Sequence, residues 1–286
     1  MIHETANQER IPMTDDPKIS VLMGIYNCED TLGEAIESIF AQSYTNWELI
    51  LCDDGSTDGT YALAKWYVSQ RPSQCILLRN ETNRKLSYTL NRCLEAASGE
   101  LVARMDADDI SHPDRFEKQV RFLREHPGIQ LVGTDMQCFD ETGKHGIRHA
   151  VEKPDKMTLR NTTPFFHATI MTYKTVYDEL GGYTVGKRAE RIEDVELWFR
   201  FFQHGFCGAN IPELLYDVRE NYETIKRRTI KERMNSFRTL AWGYSLLGFP
   251  KNWLIKPAVL AIAKSFVPFC VVKWIRQKQG FLGGGT

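Results

Sequence analysis

The sequence predicts an α/β fold with a mostly parallel sheet, flanking helices and a basic helical extension at the C-terminus. Three observations carry this. Short apolar runs alternate with segments of helical periodicity from Lys18 to Met105, the pattern of successive βαβ units. The links after the apolar runs are rich in Asp, Gly, Ser and Asn, as strand-to-helix turns are. An apolar content of 42% in 286 residues suffices for a sizeable core, and the composition shifts near Thr224.

Taken in order, Ile19–Ile25 is a short apolar run and reads as the first strand. Thr31–Ala41 has helical spacing through Leu32, Ala35, Ile36, Ile39 and Phe40. Trp47–Cys52 is a second strand, Asp53–Thr60 a turn-rich link and Tyr61–Val68 a helix. Ile76–Leu78, Leu86–Ala97 and Leu101–Met105 continue as strand, helix and strand. Beyond Pro113 the regularity weakens. Pro113–His126 reads as a helix and Gln130–Gly146 as a hairpin turning near Glu141-Thr142-Gly143. Ala168–Tyr173 reads as a strand. Ile192–Gln203 reads as a helix with Gly205 suited to its C-terminal cap. There is no internal repeat and no low-complexity segment. The chain divides into a flexible N-terminal tail over 1–17, a main domain over 18–222 and a basic amphipathic helical extension over 223–286.

The net charge of −1 hides an asymmetry. From Thr224 onward there are twelve Lys and Arg against one acid, Glu232; before it there are 24 bases against 36 acids. An acidic body with a basic tail suits a cation-dependent site and an anionic surface, with no nucleic-acid partner. Seven cysteines, none in a CxxC pair, read as reduced thiols of a cytosolic protein. The N-terminus is polar, with no signal-peptide core. Residues 251–280 hold six bases, no acid, two tryptophans and many apolar residues. Their longest uncharged run, Ser265–Val272, falls far short of the about 20 residues a spanning helix needs. They suit a helix lying in an anionic membrane interface, or a helical hairpin packed on the main domain with its lysines outward.

Chemistry concentrates in acids at strand ends. Asp106, Asp108 and Asp109 follow the fourth strand within four positions, and like charges so close call for a cation. Hard oxygen ligands suit Mg²⁺ or Mn²⁺, which keep water and substrate phosphates in their shell. Asp53 and Asp54 end the second strand, where an acid accepts hydrogen bonds from a ribose hydroxyl or a base N–H. Glu193 and Asp194 open the helix at Ile192. Acids at a helix start are ordinary, but one held near a metal–phosphate site can act as a general base. His167, after Phe165-Phe166, is more often structural than a ligand by type. The cluster Lys226-Arg227-Arg228, following Arg219, could reach a diphosphate or simply be a solvated helix face.

These residues together resemble a family 2 glycosyltransferase with a GT-A fold, a Rossmann-like nucleotide-diphospho-sugar transferase fold. The likeness covers about Lys18 to Arg219. It rests on an ordered series: Ser20–Asn27, Ile36–Tyr44, Asp53-Asp54-Gly55-Ser56-Thr57-Asp58, Gly99–Asp109, Gly181-Gly182-Tyr183 and Glu193–Trp198. The Met-Gly-Ile-Tyr-Asn-Cys opening and the Leu-Ile-Leu-Cys-Asp-Asp strand are most similar to members encoded in bacterial exopolysaccharide and biofilm-matrix operons.

The resemblance implies an inverting, metal-dependent transfer from a nucleotide-sugar, taken as UDP-linked, to a lipid-linked saccharide acceptor. It implies a cytoplasmic enzyme, peripheral at the inner face of the membrane. Tyr26 would lie against the uracil ring with Ile25 alongside. Asp53 or Asp54 would accept the uracil N–H, the family pattern favouring Asp54. Asp106 would face ribose and metal, Asp108 would be the main protein ligand of Mn²⁺ or Mg²⁺, and Asp194 would be the general base. Arg84 joins the nucleotide set, and His167, Arg191, Glu193 and Arg219 are candidates for acceptor or diphosphate contacts. Two departures stand out. Gly24-Ile25 replaces the Pro common before Tyr-Asn, and Asn83-Arg84-Lys85 replaces Asn-x-Gly, so two bases either contact the diphosphate or narrow the pocket. The alternative is a transferase scaffold with a regulatory or protein-binding role through its basic tail. A nucleotidyltransferase would want a Gly-rich, Arg- or Lys-bearing phosphate loop, which Gly24-Ile25-Tyr26-Asn27 lacks.

Overall fold

The computed structural model describes residues 11–220 and 230–259. The first half alternates as expected: β1 (Ile19–Ile25), α1 (Leu32–Phe40), β2 (Trp47–Asp53), α2 (Thr60–Gln70), β3 (Cys75–Arg79), α3 (Leu86–Ala96) and β4 (Leu101–Arg104). The second half contains β5 (Ile110–Ser111), α4 (Arg115–Glu125), β6 (Leu131–Asp140), β7 (Gly143–Arg148), β8 (Met171–Tyr173), α5 (Lys174–Leu180), α6 (Glu193–Gln203), β9 (Gly208–Arg219) and α7 (Ile230–Leu246).

Among the described residues the nine strands form one sheet in the order β3-β2-β1-β4-β8-β6-β9-β5, with β7 hairpinned onto β6. Strands β3, β2, β1 and β4 run parallel. β1, β2 and β4 are buried almost throughout and read as near-continuous apolar runs, while β3, at the sheet edge, is only partly buried. Beyond β4 the sheet is mixed: β8 is antiparallel to both β4 and β6, and β6 runs parallel to β9. The expected parallel character therefore describes the first half only.

Helix α1 buries Leu32, Ala35, Ile36 and Ile39, the predicted stripe. Helix α6 buries Leu197, Trp198, Phe199 and Phe201. Gly205, in the left-handed region at φ +82°, closes it: its N–H donates to Phe202 O, and Phe206 N–H donates to Phe201 O. The expected loose tail does not extend to residues 11–17. There Thr14 Oγ1 donates to Glu100 at 2.6 Å, the Tyr44 hydroxyl donates to Asp16 at 2.8 Å, and Ile11 and Met13 pack on the core. The first part of the basic extension also packs on the domain. Helix α7 lies on α6, with the Phe199 ring 6.0 Å from Tyr244 and 6.5 Å from Trp242. No helix among the described residues is long and apolar enough to cross a membrane. The Lys226-Arg227-Arg228 cluster, Cys270 and most of the 251–280 segment lie outside the described residues.

Candidate active site

Strands β1, β2 and β4 end side by side, with Ile25 opposite Asp53 and Leu22 opposite Arg104. Ligands in such sheets bind beyond these carboxyl ends. Ile25 is buried, and its carbonyl accepts the Asp54 N–H at 2.9 Å. Its side chain belongs to the core, whereas Tyr26 is 46% exposed. Asn27 locks this turn to the next one: its N–H donates to Ser56 Oγ at 3.1 Å, and its Oδ1 accepts the Thr57 N–H at 2.9 Å.

Both acids ending β2 point into the protein. Asp53 is fully buried, accepts the Ser56 N–H at 3.3 Å and has Arg79 Nε 3.2 Å from its Oδ2. That oxygen has ionic contact without a hydrogen bond of good geometry. Asp54 Oδ1 accepts from Asn80 Nδ2 and the Arg84 N–H, each at 2.7 Å, and its Oδ2 accepts the Lys85 N–H at 2.9 Å. The carboxylate expected to receive a base N–H thus already clasps the loop that carries Arg84. The Arg84 guanidinium lies 4.4 Å over the Tyr88 ring.

The acids after β4 split three ways. Asp106 is half-buried and pairs with Arg104, and its N–H donates to the Tyr216 hydroxyl at 3.2 Å. Asp108 opens onto a cavity of about 680 Å³ that Tyr26, Thr31, Asp106, Arg148, Arg219 and Glu220 also line. Partial loss of water there, reinforced by the Asp106 charge, pushes its pKa up to about 6. Asp109 is buried and accepts the Arg219 N–H at 2.8 Å. Burial, then the neighbouring Asp106 and Asp108 charges, lift its pKa well above the usual carboxylate range. Arg219 holds the backbone of this loop: its Nε donates to the Asp108 carbonyl at 2.9 Å and its other end pairs with Glu34.

A second cavity, of about 620 Å³, lies between the Arg84–Ser87 turn and the Val185–Glu193 loop. Arg84, Lys85, Lys187 and Arg191 line it, with Glu190 and Glu193. Lys85 and Arg191 both occupy the left-handed region, at φ +74° and +65°. That conformation costs about 1–3 kcal/mol for such side chains and concentrates at functional loops. Buried Glu196 ties this loop to α6, accepting from Thr184 at 2.8 Å, from Arg188 at 3.2 Å and from Arg200 at 2.8 and 3.0 Å. Glu193 and Asp194 open α6. Burial, with the Asp194 and Asp106 charges, raises the Glu193 pKa. His167 donates to or accepts from the Tyr183 hydroxyl at 2.8 Å, and Tyr183 meets the Tyr177 hydroxyl at 2.7 Å. Burial, aided by Arg104, pushes the imidazole pKa down to about 3.

Asp106 and Asp108 supply the hard oxygens a divalent cation prefers, and both line the same cavity. Among the described residues no three His, Cys, Asp or Glu side chains converge as a metal cage. The donor set therefore fits a cation held by one or two carboxylates and completed by substrate phosphates. Sequence reasoning missed Arg104, Arg148, Tyr216 and Tyr183 as site groups. Only Arg104 left a signal, as a lone charge inside an apolar strand.

A family model described as glycosyl transferase family 2 matches residues 20–191. The chain is 44% identical over 270 residues to the putative glycosyltransferase EpsE of Bacillus subtilis (strain 168), covering 93% of this chain and 96% of that one. It is 31% identical over 269 residues to the amylovoran biosynthesis glycosyltransferase AmsE of Erwinia amylovora, covering 91% and 98%. It is 30% identical over 225 residues to an Escherichia coli UDP-Gal:alpha-D-GlcNAc-diphosphoundecaprenol beta-1,3-galactosyltransferase, covering 76% and 79%. Among solved structures, S. aureus TarS 1-349 in complex with UDP-GlcNAc superposes with a TM-score of 0.67 at 16% identity, covering 87% of this chain and 72% of that one. The mannosyltransferase PcManGT of Pyrobaculum calidifontis, in complex with GDP-Man and Mn²⁺, gives 0.60 at 19%, covering 96% and 83%. At such identities these two establish a shared fold.

Proposed function

The chain belongs to glycosyl transferase family 2 and has the GT-A fold, and from that premise we propose an inverting, metal-dependent transfer of a sugar from a UDP-sugar to a lipid-linked saccharide hydroxyl in exopolysaccharide synthesis. The observation that carries this is the cavity at the ends of β1 and β4, where the Asp106–Asp108 acids face the same space as the exposed Tyr26 ring. The names of the relatives, which include exopolysaccharide and diphospholipid-dependent transferases, support the acceptor class.

Tyr26 offers its exposed face to the base. Asp54 holds the Arg84–Lys85 turn that closes over the nucleotide. A divalent cation held by Asp108 with Asp106 would supply positive charge for the departing diphosphate. Asp194 takes the proton of the acceptor hydroxyl as that oxygen attacks the anomeric carbon. The new glycosidic C–O bond forms as the bond to the diphosphate oxygen breaks, the electron pair leaving with UDP. One displacement from the opposite face inverts the anomeric centre.

Docking at the membrane surface belongs to the same proposal. Lys251 and Lys256 are exposed beside Ile255, at 64%, and Val259, at 58%, a mixture suited to an anionic interface. The direct test is Asp194→Asn, assayed with a panel of UDP- and GDP-sugars and Mn²⁺. Transfer is abolished while UDP affinity stays within about threefold of wild type. Wild-type turnover in that variant removes Asp194 as the base, and stabilisation by GDP-sugars alone removes the uridine assignment.

A further inference from the structure

Strand β4 carries one charge inside an apolar run, Leu101-Val102-Ala103-Arg104-Met105, and that charge is 1% exposed. A guanidinium this deep is costly unless partners meet it. One Nη donates to the Met105 carbonyl and the other to the Asp106 carboxylate. Nε has no hydrogen-bond partner among the described residues. Arg104 and Asp106, two apart on an extended chain, share one side of it. The Arg104 charge also acts on Asp108 and Glu193, on the Tyr177 and Tyr183 hydroxyls and on His167. Arg115, equally buried, behaves differently. It spends its donors on the Arg104 carbonyl at 2.9 Å and on Gln119 at 3.1 Å.

We propose that Arg104 is a positioning residue of the transfer site, a resident counter-cation that fixes the Asp106 carboxylate before donor and metal arrive. It leaves the acid cluster with one charge already compensated, so the fold does not depend on a bound ion, and it keeps Asp106 facing the nucleotide. The inference rests on the nucleotide–metal reading of that cavity, and its test separates the two.

Thermal melting is followed for the wild type, Arg104→Lys, Arg104→Gln, Asp106→Asn and the Arg104→Gln/Asp106→Asn double variant, with and without Mn²⁺. UDP affinity is measured on each. Arg104→Gln melts lower, Arg104→Lys retains most of the wild-type stability, and the double variant regains more than half of the loss because the stranded carboxylate is gone. Metal-free UDP binding by Arg104→Gln falls roughly tenfold and returns toward wild type at saturating Mn²⁺; a role confined to packing is not rescued by a metal. If Arg104→Gln does not fold, folding of the double variant supports the pairing. A double variant no more stable than Arg104→Gln, or Arg104→Lys as damaging as Arg104→Gln, overturns the proposal. If the wild type binds no UDP with Mn²⁺, the nucleotide–metal reading falls, while the melting cycle still decides whether Arg104 holds Asp106.

Discussion

Asp54 is buried and receives three donors from Asn80, Arg84 and Lys85. Removing its carboxylate strands all three, which costs about 3 kcal/mol where hydrogen bonds to a charged group are lost in a buried setting. Asp54→Ala lowers the denaturation midpoint accordingly and weakens UDP binding, since the Arg84 turn is what it holds. Asp54→Asn keeps one acceptor oxygen and loses less. Urea unfolding with calorimetry on both variants checks this, and an Ala variant as stable as wild type would remove the clasp. His167 gives a pH signature. Its imidazole pKa is pushed down to about 3, from a usual 6.5. Below pH 6.5 the unfolded chain takes up a proton that the native state refuses, so its contribution is complete above 6.5 and is lost as pH falls toward 3. The wild-type melting temperature should therefore drop more steeply between pH 6.5 and 4 than that of His167→Gln; parallel profiles would show that His167 is not held neutral. The acids of the site were legible because strand ends and helix starts leave local marks in sequence. Tyr216 was not, because its partner, the Asp106 N–H, comes from a distant segment that only the fold assembles; Arg104, paired with its near neighbours Met105 and Asp106, showed only as a lone charge in an apolar run.

Elements differed in legibility for the same reason. β1 through β4 are short apolar runs with helices between them, and local periodicity found each one. β9 escaped because its twelve residues, Gly-Ala-Asn-Ile-Pro-Glu-Leu-Leu-Tyr-Asp-Val-Arg, break the pattern at Pro212 and Glu213. There Ile211 pairs with Thr134 and Leu214 with Asp135. The two residues between are exposed at a bulge, the one place a strand tolerates a proline so readily. The short β5 and α5 likewise carry too few residues to show a period. The contact between α6 and α7 makes a testable claim. A Cβ at Gly243 would come within 2.2 Å of the Phe199 ring, which is fully buried. Overpacking of this kind costs about 1–3 kcal/mol. Gly243→Ala should lower the melting temperature by about 5 °C. An unchanged melt would mean that α7 is not seated on α6.

At the scale of the whole molecule, the acidic body and the basic tail are joined more closely than composition suggested. The sequence left open whether the tail packs on the domain or serves a surface. The structure seats α7 on the domain through Phe199, Trp242 and Tyr244, whereas Ile255 and Val259 are exposed next to Lys251 and Lys256. A cut at Tyr222 would therefore uncover buried aromatic surface and confound any test of membrane binding. A chain ending at Val259 keeps that packing and removes the later part of the segment, with its apolar residues, Trp274 and the bases Lys264, Lys273, Arg276 and Lys278. Each basic residue near an anionic bilayer contributes about 1 kcal/mol, so losing four weakens partition by on the order of a thousandfold. The shortened chain should melt near the full-length protein, bind UDP with equal affinity and, keeping only the Lys251–Val259 part of the contact, float far less with vesicles rich in anionic lipid. The full chain floats with them, and does so less at raised salt as the surface field is screened. Neutral phosphatidylcholine vesicles should retain neither protein. Equal flotation of both chains on anionic vesicles would confine the membrane contact to the exposed Lys251–Val259 face; no flotation of the full chain would remove the membrane from the proposal.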